Sequence, residues 1–378
     1  MSSIPTLMKA VLLKGNGGFE QLEYRADVPT PAPGVGEVLI KVGAAAVNNT
    51  DVNTRTAWYS KTVREGTTST GGARGFPGAR TEDSGWTGSA PVFPRIQGAD
   101  ACGRIVAVGN GVDASRIGER VLIEPVFRSP VNWEPFRAVY FGSECDGAFA
   151  EFAKAPAEHA HRIESPLTDA ELASFPCSYS AAENMLERAG LDRGETVLVT
   201  GASGGVGSAA VQLARRRGAK VIAVASASKA AEIAELGADG VISRDADFGE
   251  SLGAESLDVV VDSVGGDGFT KCLNALKRGG RYVVAGAIGG PLVELDLRTL
   301  YLKDLRLIGC TILEPGVFSR LVGYIERGDI KPLVAKTYPL RKIVAAQEEF
   351  LLKRHVGKIV LTIEAGTDPS KGGGVRPG

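Results

Sequence analysis

A glycine-rich turn between a strand-like run and a helix-like run constrains the fold more than any other feature. The apolar residues 196–200 lead into the turn, and an alanine-rich stretch follows it as far as Gly218. Residues without a Cβ let a pyrophosphate approach the free N–H groups at the positive end of a helix. This order predicts a dinucleotide-binding βα unit, with a plain glycine-rich turn as the alternative. The predicted contacts are Gly201, Ser203, Gly204, Gly205, Val206 and Gly207.

The strand that follows, at residues 220–225, bears on which dinucleotide is bound. An NAD site usually ends this strand with an acidic residue that binds the adenine ribose hydroxyls, and residues 201–231 contain none. Ser226, Ser228 and Lys229 stand there instead and offer hydrogen bonds and a positive charge to a 2′-phosphate. Arg244 is a candidate second cation. We therefore expect NADP(H) as the cofactor; the alternative for Lys229 is that it begins a solvent-exposed helix.

Composition limits the class of protein. With 378 residues, 44% of them hydrophobic, the chain is long enough for two packed domains. A net charge of −1 with scattered basic residues disfavours nucleic acid as a partner. The absence of a long apolar stretch and of a signal-like start predicts a cytoplasmic protein without a membrane partner. Five cysteines without a Cys-x-x-Cys pair predict reduced thiols.

The pattern of predicted secondary structure changes along the chain. Residues 1–160 alternate short strand-like runs with turns, and residues 161–325 alternate strands with helices. Residues 326–365 offer a helix and then a strand that we expect to return to the first domain. The predicted fold class is α/β, with a doubly wound parallel sheet domain inserted in a mostly β domain.

Two segments fall outside this scheme. Residues 60–92 are rich in Gly, Ser, Thr and Arg and too long for an ordinary connection, so the segment is predicted to be either a lid or mobile. Residues 366–378 have the composition of a disordered tail. The aromatic residues 133–141 are expected to help shape a substrate pocket together with residues 60–92.

Three motifs together resemble the medium-chain dehydrogenase/reductase superfamily over nearly the whole chain. They are the turn Thr200-Gly-Ala-Ser-Gly-Gly-Val-Gly207, the run Leu257-Asp-Val-Val-Val-Asp-Ser-Val-Gly-Gly266 and the closing Gly357-Lys-Ile-Val-Leu361. The stretch Val47-Asn-Asn-Thr-Asp-Val-Asn-Thr-Arg55 is similar to a segment of the zinc-lacking quinone oxidoreductase branch, which includes zeta-crystallin. The resemblance implies a Rossmann-type domain, a GroES-like catalytic domain, a small-molecule substrate and a homodimer.

The same resemblance implies a set of catalytic residues. The branch's motif places its active-site residues on Asn48, Asp51 and Arg55, and a tyrosine of related quinone reductases matches Tyr59 by spacing. Asp51 and Arg55 also have the spacing of a helical ion pair, and we expect them to orient the loop more than to touch substrate. For Tyr59 the alternative is a hinge residue of the following loop.

Further cofactor contacts follow from the resemblance. It places Ser180 beneath the nicotinamide, the backbone of Ala285, Gly286 and Ala287 beside it, and Lys358 among the cofactor contacts. Glu183 is unusual at its position, and we expect a satisfied polar residue at the domain boundary, with a general acid as the alternative.

The zinc-dependent members of the superfamily provide a contrast. Asn48 stands where they have a cysteine, Ala99 stands where they have a histidine, and only Cys177 matches a ligand. Residues 125–147 hold a single cysteine, Cys145, so a four-cysteine structural site is missing too. A catalytic zinc needs about three Cys, His or carboxylate ligands, so we expect no metal, with Asp100 and Cys177 as the pair that would contradict this.

Without a Lewis acid, a conjugate reduction is easier than the oxidation of an alcohol. Negative charge that spreads onto a distant oxygen can be met by hydrogen-bond donors alone, and Asn48 and Tyr59 are the expected donors. We therefore expect an NADPH-dependent reductase of quinones, enones or enoyl thioesters. The alternatives are an alcohol dehydrogenase or ketone reductase and a non-catalytic NADPH-binding protein. His159, His161 and His355 are predicted on surface or edge segments and without catalytic roles.

Overall fold

The computed structural model describes residues 4–128, 137–246 and 248–363. The strands are β1 Leu7–Leu13, β2 Leu22–Pro29, β3 Glu37–Ala46, β4 Arg95–Ile96, β5 Asp100–Val108, β6 Arg120–Ile123, β7 Val126–Phe127, β8 Val139–Tyr140, β9 Phe152–Pro156, β10 Ala160–Arg162, β11 Thr196–Val199, β12 Lys220–Ala225, β13 Gly240–Ser243, β14 Leu257–Asp262, β15 Leu276–Val284, β16 Arg306–Gly309, β17 Val334–Pro339 and β18 Lys358–Thr362. The helices are α1 Asn49–Arg55, α2 Ser69–Arg74, α3 Asp169–Leu172, α4 Pro176–Ala189, α5 Gly205–Arg217, α6 Ala230–Glu235, α7 Phe248–Leu252, α8 Phe269–Ala275, α9 Leu297–Leu302, α10 Val317–Glu326 and α11 Ile343–Leu351.

The first part of the chain forms a β domain. Its larger sheet has the order β10-β6-β5-β3-β18-β17, and β9 also pairs with β3. A smaller sheet has the order β2-β1-β4. Apolar side chains from β3, β5 and β18 share one buried core, which removes from water the apolar runs that make these segments strands. Because β18 pairs antiparallel with β3, residues near the two ends of the described chain complete the same sheet.

The second part of the chain forms a Rossmann domain. Its six strands are all parallel, in the order β13-β12-β11-β14-β15-β16. Helices cover both faces, so β11 and β14 are apolar and buried nearly throughout, as expected of central parallel strands. The predicted fold class is thus confirmed. The order reverses between β11 and β14, and the carboxyl ends of strands at such a point form a crevice that binds ligands.

Residues 60–92 pack across this crevice. They contain α2, and Val63 and Phe76 form a small buried cluster with Trp58. The backbone N–H of Thr67 donates to the carbonyl of Ile288 in the Rossmann domain at 2.9 Å. The segment therefore bridges the two domains at one end of the crevice. None of the described helices is long and apolar enough to cross a membrane.

A buried acid–base group, which we call the Glu124 cluster, corrects the prediction for one histidine. Glu124 accepts from His159 Nδ1 at 3.2 Å and is 3.0 Å from His161 Nε2. His159 is buried and not on the surface, and its ring stacks on Phe127 with centroids 5.1 Å apart. The ion pairing lowers the pKa of Glu124 to about 2 against the effect of burial, and raises the pKa of His159.

Candidate active site

A cavity of about 530 Å³ lies in the crevice between the two domains. The Rossmann domain contributes the glycine turn and the loops after β14 and β15 to it. The β domain contributes residues from the ranges 47–59 and 350–358.

The glycine turn lies between the end of β11 and the start of α5. Gly201 has a φ of +56°, a conformation that favours glycine. A Cβ on Gly207 would lie 2.2 Å from the carbonyl oxygen of Gly201, so only glycine allows the helix to start this close to the strand. In the described chain, the N–H groups of Gly205, Val206 and Gly207 have no hydrogen-bond acceptor. This cradle fits the diphosphate of a dinucleotide, and the six residues predicted there all line the cavity: Gly201, Ser203, Gly204, Gly205, Val206 and Gly207.

The end of the cavity beyond β12 holds three of the four residues predicted to select NADP(H). Ser226, Lys229 and Arg244 line it, whereas Ser228 does not and instead lies 3.3 Å from the Ser226 hydroxyl. Lys229 does not point into solvent, because its ammonium group donates to the carbonyls of Lys353 at 2.7 Å and His355 at 2.8 Å. It therefore ties the Rossmann domain to the β domain.

The opposite end holds the predicted nicotinamide contacts. Ala285, Gly286 and Ala287 line the cavity after β15. Ser180 does not line it, which corrects the prediction: it is buried, and its hydroxyl donates to the carbonyl of Cys177 at 3.3 Å. Other residues at the start of α4 face the cavity instead, namely Cys177, Ser178 and Ala181.

A buried polar group, which we call the Asp100 cluster, closes the inner end of the cavity. The ammonium group of Lys358 lies 2.8 Å from Asp100 Oδ2 and donates to Asn48 Oδ1 and, at 3.2 Å, to Ser178 Oγ. Asn48 Nδ2 donates to Asp100 Oδ2 at 2.7 Å and to the Ala46 carbonyl at 3.3 Å. Both N–H groups of the Asn48 amide are therefore used inside the protein. The hydrogen bond expected from Asn48 to a substrate oxygen is not available in this arrangement.

Asp51 and Arg55 do not form the ion pair that their spacing predicts. The carboxylate of Asp51 accepts from the backbone N–H groups of Asn48 at 2.8 Å and Gly98 at 3.2 Å. Burial raises the pKa of Asp51 to about 7. Arg55 is fully buried and donates to the carbonyl of Gly72 on α2, to a side chain on α11 and to a carbonyl of the loop after β1. Neither residue lines the cavity, so both hold α1 and its loop in place.

Tyr59 lines the cavity beside Trp58, with which it makes an edge-to-face contact at 5.8 Å. Burial raises the pKa of Tyr59 to about 12, while the nearby polar side chains of Thr50 and Asn53 act in the opposite direction. The phenol is therefore protonated at neutral pH and keeps a hydrogen to donate. Thr50 and Asn53 line the same part of the cavity.

The side chains at the zinc position of related enzymes do not fit a zinc ion. Cys177 keeps its thiol proton, because burial and then Asp100 raise its pKa. Asp100 already binds Lys358 and, at 2.6 Å, the backbone N–H of Cys177. The lysine thus places a positive charge where a metal would need ligands. In the ranges that the structure describes, no three His, Cys, Asp or Glu side chains converge on one point.

Several residues that line the cavity were not predicted as site residues from the sequence. Asn49, Thr50 and Asn53 follow the Asn48 motif on α1, and the spacing of a helix would have placed Asn53 on the same face as Asn49. Lys353 and His355 come from the segment between α11 and β18, where no motif marks them. Glu183 is buried and lies 2.7 Å from Arg217, but its Oε2 has no hydrogen-bond partner in the described chain, so the expected fully satisfied residue is not found.

A Rossmann domain that faces a β domain across a cavity lined by a glycine turn is the arrangement of a two-domain oxidoreductase. Family models match both parts: "Alcohol dehydrogenase GroES-like domain" over residues 34–165 and "Zinc-binding dehydrogenase" over residues 205–327. An acryloyl-coenzyme A reductase of Metallosphaera sedula is 32% identical, over 94% of this chain and 100% of that protein. The human quinone oxidoreductase is 28% identical, over 96% and 100% respectively.

A solved structure resembles the chain even more strongly. A putative alcohol dehydrogenase from Sinorhizobium meliloti 1021 is 47% identical, with a TM-score of 0.85, covering 96% of this chain and 99% of that one. The chain belongs to the medium-chain dehydrogenase/reductase superfamily, in its quinone oxidoreductase-like branch. It is an oxidoreductase of this superfamily, whose members bind a nicotinamide cofactor.

Proposed function

We propose that the protein is an NADPH-dependent, zinc-independent reductase of quinones or α,β-unsaturated carbonyl compounds. The observation that carries the proposal is the polar arrangement at the inner end of the cavity, where Lys358 is paired with Asp100 and Tyr59 presents a protonated hydroxyl. Hydrogen-bond donors meet charge that develops on an enolate or hydroquinone oxygen without a metal. The names of the acryloyl-coenzyme A reductase and quinone oxidoreductase relatives support this class of substrate.

Different residues along the cavity would bind different parts of the cofactor and the substrate. The glycine turn and the start of α5 would hold the diphosphate of NADPH, and Ser226, Lys229 and Arg244 its 2′-phosphate. When bound, NADPH supplies a hydride from C4 of its nicotinamide. Tyr59 would donate a hydrogen bond to the substrate oxygen on which negative charge develops. Asn48 would act as a positioning residue, because its amide oxygen holds the Lys358 ammonium group in place.

A second cavity of about 970 Å³ gives a larger substrate a place to extend. It shares Trp58, Trp86 and residues 285–287 with the inner cavity, so the two meet beside the expected nicotinamide position. Trp86 stacks on Tyr140 with ring centroids 4.5 Å apart, which gives this space an aromatic wall. Tyr140 belongs to the aromatic run predicted to shape a pocket, and residues 133–136 of that run lie outside the described residues.

The proposal is tested by NADPH oxidation with quinones, short enones and enoyl thioesters, beside alcohol oxidation with NADP⁺. We expect turnover with at least one activated double bond or quinone, and a fall in kcat of about 10- to 100-fold for Tyr59→Phe, the loss of one transition-state hydrogen bond. The matched control is Tyr24→Phe, because Tyr24 is 38% exposed on β2 and lines neither cavity. Alcohol oxidation alone, or unchanged turnover in Tyr59→Phe, would contradict the proposal. Elemental analysis should find no stoichiometric zinc.

We also propose that the protein is a homodimer joined through the Rossmann domain. Strand β16 is the last strand of its sheet, and Leu307 on it is 40% exposed. Leu297, Tyr301 and Leu302 of the adjacent α9 are 57–64% exposed. Light scattering should give the mass of a dimer for the wild type and of a monomer for Leu307→Asp. Val35→Asp is the control, since Val35 is exposed on the β domain.

A further inference from the structure

Neither a motif nor the family resemblance points to Lys353, yet its side chain faces the cavity. Its backbone has a left-handed φ of +51°, which turns the chain between α11 and β18. The ammonium group donates to Asn49 Oδ1 at 2.9 Å and lies 3.5 Å from the centroid of the Phe350 ring. Asn49 and Phe350 line the same cavity. These contacts hold the positive charge of Lys353 at the wall of the dinucleotide site.

Three lysines lie along this wall, and they differ in whether a carboxylate pairs with the ammonium group. Lys358 is paired with Asp100 at 2.8 Å. Lys229 donates only to carbonyl and hydroxyl oxygens, and Lys353 donates only to an amide oxygen. No carboxylate in the described part of the chain lies within ion-pair distance of either Lys229 or Lys353. Burial, followed by the nearby Lys358 and Lys229, lowers the pKa of Lys353 to about 7, as expected of a cation that lacks an anion.

The Lys353 side chain lines the same cavity as the glycine turn. The segment that carries Lys353 runs along the glycine turn, because the N–H of Gly357 donates to the Ser203 carbonyl at 3.1 Å and Lys229 donates to the Lys353 carbonyl. The aliphatic part of Lys358 would lie 3.0 Å from a Cβ on Gly205, at the first turn of α5. Lys358 in turn donates to Asn48, whose neighbour Asn49 accepts from the Lys353 ammonium group. These contacts link the Lys353 ammonium group to the first turn of α5, and both line the same cavity.

We propose that Lys353 binds the diphosphate that joins the two halves of the nicotinamide dinucleotide, whereas Lys229 binds the 2′-phosphate. The inference rests on the proposed function, since it takes the cofactor to be NADPH. The two uncompensated lysines then match the two anionic groups of that cofactor. Because NADH and NADPH share the diphosphate and differ in the 2′-phosphate, the two lysines must affect the two cofactors differently.

Equilibrium binding of NADPH and of NADH, followed by quenching of Trp58 and Trp86 fluorescence in the cavity, separates the two roles. We expect Lys353→Met to weaken both dinucleotides by a similar factor of about 10 or more, the loss of a charge-assisted hydrogen bond. Lys353→Arg should retain most of the affinity, because it keeps the charge. Lys229→Met, the matched control, should weaken NADPH and leave NADH nearly unchanged.

The same variants show which idea fails if the result is different. Unchanged binding of both dinucleotides to Lys353→Met, or a selective loss of NADPH, would overturn the diphosphate assignment. A wild-type protein that binds neither dinucleotide would overturn the proposed function itself. Without cofactor, Lys353→Met should unfold at the same or a higher temperature than the wild type, because an unpaired cation is removed. Weak binding with a lower unfolding temperature and no rescue by Lys353→Arg would show a structural role and would also reject the inference.

Discussion

The Asp100 cluster and the Glu124 cluster both bury a carboxylate against basic side chains, but only the first faces the cavity. Asp100 is paired with Lys358 and lies beside Asn48, which lines the dinucleotide site. Glu124 is paired with His159 and His161, and these side chains pack on aromatic rings instead. A buried charge alone therefore does not mark an active site. An active site is indicated when the residues that contact the buried charge also line a ligand cavity.

The largest expected effect concerns the Asp100 cluster. Lys358→Met leaves the Asp100 carboxylate buried without its cation, which should lower the free energy of unfolding by about 3–5 kcal/mol. Urea denaturation measures this loss. The double variant Lys358→Met/Asp100→Asn should recover much of the stability, while binding of NADPH stays weak because the cation is gone. Equal stability of the single variant and the wild type would contradict the pairing.

The Glu124 cluster should affect stability and leave function alone. His159→Gln removes a buried charge-assisted hydrogen bond, so we expect the free energy of unfolding at about pH 5.5 to fall by about 1–3 kcal/mol. The dissociation constant of NADPH should not change, since neither His159 nor Glu124 lines the cavity. A weakened cofactor affinity in this variant would contradict the conclusion that only the Asp100 cluster contributes to cofactor binding.

The Glu124 cluster also predicts how stability depends on pH. The pKa of His159 is raised from 6.5, so its contribution is full below pH 6.5 and is lost as the pH rises through the raised value. The pKa of Glu124 is lowered from 4.5 to about 2, so its contribution is full above pH 4.5 and is lost as the pH falls towards 2. The stability difference between the wild type and His159→Gln should therefore be largest between pH 4.5 and 6.5 and shrink at alkaline pH. A constant difference across a series of urea denaturations would contradict this account.

The smallest effect is expected at an exposed ion pair near the Glu124 cluster. Arg162 lies on β10 beside His161 and pairs with Glu164, and the two side chains are 62% and 70% exposed. Exposed pairs are screened by water, so Arg162→Ala should change the free energy of unfolding by less than about 0.5 kcal/mol. A loss as large as that of His159→Gln would mean that burial does not explain the difference in strength.

Features that depend on neighbouring residues could be predicted from the sequence. The glycine turn is local: its strand, its positive-φ glycine and its helix occupy fewer than thirty consecutive residues, and the structure places them as expected. The apolar runs of β11 and β12 likewise indicated neighbouring strands, and the two pair in parallel. The glycine turn of the Rossmann wall was therefore predictable residue by residue, whereas Ser180 and Ser228 were predicted contacts that do not line the cavity.

The return of the last strand to the first domain was predicted, but the side-chain partners that this distant pairing creates were not. Asn48 and Lys358 are 310 residues apart, and nothing in either motif shows that β3 and β18 bring them together. The burial of His159 has a similar cause, because antiparallel pairing of β10 with β6 sets Ala160 opposite Ile123 and so brings Glu124 to the histidine. The spacing of Asp51 and Arg55 was a misleading signal. Burial of both side chains gave each a separate set of backbone partners.

The pairing of β18 with β3 has a consequence for synthesis of the protein. Residues 44–46 of β3 pair with residues 360–362 of β18. Strand β3 therefore leaves the ribosome more than 300 residues before its partner. The Rossmann strands β11 to β16 emerge together in between and can form their own sheet first. Lys358 arrives on β18, after nearly all the other cavity residues. Until then a nascent chain holds the exposed edge of β3 and an unpaired Asp100, so translation leaves the active site to be completed last.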